Sequence, residues 1–81
     1  MTTKKILITG LGAAATEESI RSWLSRFGPV VRVDIIRDGD AAKPLAVVEM
    51  DIGEGAAAYL ASRLSNCWYE GAIVGARLLH H

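Results

Sequence analysis

Residues 16–29 (TEESIRSWLSRFGP) constrain this chain more than any other stretch, because a helix and both of its ends are written there. Thr16 is a natural N-cap, and Glu17 and Glu18 stand in the first turn, where the helix dipole favours negative charge. Ile20, Trp23, Leu24 and Phe27 recur at i, i+3, i+4 and i+7, which is one apolar face. Gly28 suits the C-terminal cap and Pro29 cannot continue a helix, so the element must stop there.

What flanks this helix decides the architecture. Residues 4–11 (KKILITGL) form an apolar run of strand length closed by Gly10 and Gly12. Residues 30–37 are β-branched and roughly alternating, a second strand. Asp38, Gly39 and Asp40 are turn chemistry, and 44–50 (PLAVVEM) is a third strand, the hairpin partner of the second. A second helix is expected over about 53–65, with Ala57, Leu60, Ala61 and Leu64 on one face and a start weakened by Gly53 and Gly55. Ile73-Val74 and Leu78-Leu79 flank Gly75 and mark the last strand, preceded by a small hairpin near Trp68 and Tyr69. The order strand, helix, strand, strand, helix, strand predicts an α+β, ferredoxin-like βαββαβ sandwich. Its four-stranded antiparallel sheet carries two helices packed on one face. At 81 residues the chain reads as a single domain over 1–81, and at this size most apolar residues must serve the core.

Composition narrows the function classes. Nine basic and nine acidic side chains cancel, so any nucleic-acid binding has to come from local patches. The lone Cys67 has no internal disulfide partner, which favours a reducing, cytoplasmic setting. The apolar run from Ile6 to Ile8 is too short for a signal peptide or a membrane span, so no membrane association is expected. One cysteine and two terminal histidines make neither a catalytic triad nor a zinc set, and the carboxylates sit in a helix cap, turns and strand faces. No catalytic residue, metal site or cofactor is expected, and the chain reads as a binding module rather than an enzyme. His80 and His81 are given no role.

One motif is a decoy. Gly10-Leu11-Gly12-Ala13-Ala14-Ala15 follows an apolar strand and matches the dinucleotide pattern GxGxxA, with Asp34 at about the expected distance downstream. That fingerprint needs its helix to begin inside the glycine turn, so that the N-terminus meets the pyrophosphate. Here Thr16 starts the helix later, Glu17 and Glu18 stand where the phosphates would go, and 81 residues cannot hold two βαβαβ halves.

Residues 16–30 resemble the first helix of the RNA recognition motif and its exit, and 31–38 (VRVDIIRD) resembles that family's second strand. Residues 6–11 (ILITGL) align with the family's six-residue signature on the first strand, and 43–50 (KPLAVVEM) with its eight-residue signature on the third. The resemblance implies binding of single-stranded RNA across the open sheet face, where family members stack bases on aromatic rings. The ring positions here hold Leu7, Leu45 and Val47, and Pro44 replaces the usual glycine. An aliphatic side chain offers only dispersion and area burial, whereas a ring supports stacking of about 1–3 kcal/mol per base. The expected RNA binding is therefore weak and of little sequence preference.

Strand alternation places Ile6, Ile8, Val33, Ile35, Ala46, Val48 and Met50 toward the helices. Leu7, Thr9, Ile36, Leu45, Val47, Glu49 and Leu79 are left on the open face. The expected RNA site is a floor of Leu7, Thr9, Leu45 and Val47, with Lys5, Arg37, Lys43 and Arg77 as phosphate contacts. Arg32, Asp34 and Glu49 share that surface. The alternative reading uses the same aliphatic face to bind a protein partner or to self-associate as a homodimer. Trp23 reads as core. Trp68 is expected to cover the core edge beneath the segment before the last strand; the competing reading makes Trp68 or Tyr69 a displaced stacking surface or an anchor for a protein ligand.

Overall fold

The computed structural model describes residues 3–12, 15–37, 44–69 and 71–79. Its elements run β1 (Lys4–Thr9), α1 (Glu17–Leu24), β2 (Val30–Ile36), β3 (Leu45–Met50), α2 (Glu54–Leu64), β4 (Cys67–Tyr69) and β5 (Ala72–Leu79). The expected turn at residues 38–40 lies outside the described residues.

Helix α1 begins as its sequence dictates. The Thr16 side chain accepts from the Ser19 backbone N–H at 3.1 Å, and the Ser19 hydroxyl accepts from the Thr16 N–H at 3.2 Å. This reciprocal capping box satisfies two otherwise orphaned donors. The helix starts after Thr16, well past Gly12, so the glycine pair opens no helix N-terminus. Its exit departs from expectation. The helix ends at Leu24 with Ser25 as C-cap, and Phe27 N–H donates to the Leu24 carbonyl in the turn that follows. Phe27 has left the helical register by then, and it is 50% exposed rather than core.

The sheet holds five strands rather than the expected four, in the order β2-β3-β1-β5-β4, with every pairing antiparallel. The additional strand is β4, which forms a hairpin with β5 at the sheet edge. The segment leading to the last strand thus has strand pairing of its own. Asn66, at φ +62, turns the chain from α2 into this hairpin, and its N–H donates to the Val74 carbonyl at 2.8 Å.

One face of the sheet meets the helices. Ile6, Ile8, Val33, Ala46, Val48, Met50 and Val74 are buried there against Ile20 and Leu24 of α1 and Leu60 and Leu64 of α2. No polar or charged residue is buried among the described residues. Each fully buried Ile, Leu or Val contributes about 1.5–3 kcal/mol, so this layer is the main source of stability. Strand β2 enters through a bulge between Val30 and Arg32. The extra residue lets Val30 turn inward against the core while Val31 points out, 43% exposed. Beyond the bulge, Arg32, Asp34 and Ile36 keep to the open side.

Candidate functional site

Both helices lie on one face of the sheet, so the described elements leave the other face uncovered. The strand registers fix its layout. One row across the sheet runs Arg32, Glu49, Lys5, Leu79, and the next runs Asp34, Val47, Leu7, Arg77. The third opens with Ile36 opposite Leu45 and ends with Thr9 opposite Gly75. Directly opposed Cβ atoms are about 4.5–5.5 Å apart, so Val47, Leu7 and the stem of Arg77 form one continuous strip.

Six of the eight expected site residues therefore share one surface: Lys5, Leu7, Thr9, Leu45, Val47 and Arg77. Leu7 and Val47 are half-buried by their neighbours, whereas Leu45 and Ile36 are 37% and 39% exposed. Arg37 follows the end of β2, and its guanidinium donates to the Ala15 carbonyl at 2.6 Å, tying that strand end to the loop before α1. Lys43 lies outside the described residues.

Charge is unevenly divided on this face. On the β2–β3 half, the Arg32 guanidinium pairs with Asp34 at 3.0 Å, and Glu49 accepts from the Thr3 hydroxyl. The β1–β5–β4 half carries Lys5 and Arg77, and its described strand residues include no carboxylate. Lys4 points to the helix side, where it meets Glu54 at 3.8 Å. Lys5 stands directly opposite Glu49 on β3, whereas Arg77 stands opposite Leu7, so the positive charge of this half is centred on Arg77.

Trp68 is where the structure differs most from expectation. Its partner across the hairpin is Ile73, which alternates with Gly75 and Arg77 and so faces the open side. Trp68 is 68% exposed and Ile73 53% exposed, so the indole does not cover the core edge. That role falls to Cys67 and Tyr69, which pack on the helix side. Tyr69 stacks on Trp23 of α1 with centroids 4.1 Å apart and planes 15° from parallel. Trp23 is thus partly buried against the core and partly committed to holding the hairpin. Strand alternation over 67–69 was the available signal, but it needed to be known which ring turned inward.

Comparison with known proteins agrees with this geometry. The model of the RNA recognition motif family matches residues 6–63. The chain belongs to the RNA recognition motif family. Among solved structures, the third RNA recognition motif of Mip6 superposes with a TM-score of 0.79 at 20% identity, covering 91% of this chain and 89% of that one. The motif of Rna15 with bound GU RNA gives 0.73 at 17% identity, covering 90% and 79%. The first motif of Plasmodium falciparum SR1, in complex with ACAUCA RNA, gives 0.69 at 14% identity, covering 96% and 85%. At these identities the likeness speaks for the fold. No curated protein sequence matches the chain.

Proposed function

We propose that this domain binds single-stranded RNA, weakly and with little sequence preference, across its open sheet face. The observation that carries the proposal is the uncovered face itself, the surface with which members of this family stack bases. Leu7, Thr9, Leu45 and Val47 supply the floor, and Lys5 and Arg77 the phosphate contacts on the face. Arg37, held to the Ala15 carbonyl after the end of β2, and Lys43 are further contacts at its margin. Without rings at Leu7, Leu45 and Val47, each base meets aliphatic surface and forgoes about 1–3 kcal/mol of stacking. Affinity then rests largely on phosphate contacts, with Kd on the order of 0.1 mM or weaker at physiological salt. A reducing, cytoplasmic location belongs to the same proposal and rests on the lone Cys67.

The test is an NMR titration of the labelled domain with short mixed single-stranded RNA at several salt concentrations. Amide shifts should map to Leu7, Leu45, Val47 and the basic residues around them. Two to four phosphate contacts predict a slope of log K against log salt of about −1.4 to −2.8. An unchanged spectrum at millimolar RNA and low salt would refute the proposal.

The exposure of the opposed pair Ile36 and Leu45 favours a second reading, in which the aliphatic face binds a protein or a second copy of the domain. Sedimentation that changes with concentration, and that Val47→Glu abolishes, would support that reading. An RNA-binding monomer would show neither effect.

A further inference from the structure

We propose that Trp68 is a base-stacking platform that extends the RNA surface beyond the usual strands onto the β4–β5 hairpin. This rests on the RNA-binding reading above and adds a residue and a direction to it. Stacking of Tyr69 on Trp23 pins the hairpin to α1. Because adjacent strand residues point to opposite faces, the anchored Tyr69 holds Trp68 outward. Its neighbour Ile73 supplies an apolar flank, and Gly75, next along the same face, leaves bare backbone between the indole and the aliphatic floor.

The surroundings suit a polyanion carrying flat bases. Lys5 and Arg77 lie on the same half of the face; Lys5 is opposed by Glu49 of β3, while β4 and β5 around Arg77 and Trp68 carry no carboxylate among their described residues. Glu70, in the connection between β4 and β5, lies outside the described residues. From Leu7 to Trp68 is two strand spacings across and four residues along, about 16 Å, with Arg77 directly opposite Leu7 and Gly75 between Arg77 and Ile73. A strand of RNA leaving Leu7 for Trp68 meets the Arg77 cation at the start of that course. A ring with an open π-face accepts any base, which agrees with the low sequence preference expected here.

The test repeats the RNA titration with wild type, Trp68→Ala and Trp68→Phe, using a mixed oligonucleotide and an abasic oligonucleotide of the same length. The exposed position makes the variants compatible with folding. The Trp68 indole N–H resonance should shift in wild type, and Trp68→Ala should weaken binding about 5- to 150-fold or abolish it, with Phe restoring most of the affinity. The abasic strand should bind wild type no better than it binds Trp68→Ala. Equal affinity of wild type and Trp68→Ala, while Leu7 and Val47 still respond to RNA, overturns the role of Trp68 and leaves the RNA-binding proposal standing. No response to RNA anywhere overturns both. An indole resonance that moves with protein concentration in the absence of RNA assigns the ring to a second copy and overturns the inference.

Discussion

Replacing Gly10 by alanine tests whether the edge hairpin depends on a close backbone approach. Gly10 sits just after β1 at φ +80, in the left-handed region, which costs a residue with a Cβ about 1–2 kcal/mol. A Cβ there would also lie 2.5 Å from the Ile73 carbonyl oxygen and 3.3 Å from the Val74 Cα. Both are backbone atoms of β5, so no side chain can swing aside and the strand itself must shift. Overpacking of this kind costs about 1–3 kcal/mol. Together the two effects predict a loss of about 2–5 kcal/mol, against about 4–12 kcal/mol for a domain of 81 residues.

Urea unfolding measures this directly, with the midpoint falling and the slope m unchanged. For a loss near 3 kcal/mol, Tm should drop by about 10–25 °C. Gly12→Ala is the internal control. A Cβ at Gly12 meets nothing within 4 Å, so the change should be neutral or stabilise by up to about 1 kcal/mol through the unfolded state. A Gly10→Ala variant within about 0.5 kcal/mol of wild type would refute the close-approach account. The expected pair of outcomes separates the two glycines of the GxGxxA-like stretch, Gly10 structural and Gly12 replaceable.

Other outcomes follow from local geometry. Thr16→Ala removes the hydroxyl that accepts from the Ser19 N–H, one half of the capping box, and should cost about 1 kcal/mol in the same urea assay. The Tyr69 hydroxyl oxygen is buried without a hydrogen-bond partner among the described residues, so Tyr69→Phe should keep the stack on Trp23 and leave stability unchanged or raise it by up to about 1 kcal/mol. A clear loss of stability in Tyr69→Phe would show that the hydroxyl has a partner in solution.

Helix α1 and the alternating faces of β1 and β3 were legible because their causes are local. Thr16, the two glutamates and the i, i+3, i+4 pattern of Ile20, Trp23 and Leu24 act within a few residues, and strand alternation has a period of two everywhere. For the same reason the open face of Leu7, Leu45 and Val47 could be written down before any fold was known, and the registers place those side chains where alternation put them. The alternation of strand and helix patterns along the chain gave the βαββαβ order, and the resemblance of 16–30 to a known family pattern agreed with it.

The remainder turned on contacts between distant segments. Nothing near Val30 and Val31 says that a bulge will turn the first inward and the second out; the register of β2 on β3 decides it. Phe27 continues the apolar stripe in sequence, but the helix ends at Leu24 and strands it at the surface. Trp68 and Tyr69 are adjacent aromatics with equal claim on the interior. Only the position of Trp23, forty-odd residues away in the chain, selects Tyr69 as the buried one and turns Trp68 outward. Local sequence sets which conformations each segment prefers, while the choice between two faces of one strand is settled by the partner packed against it.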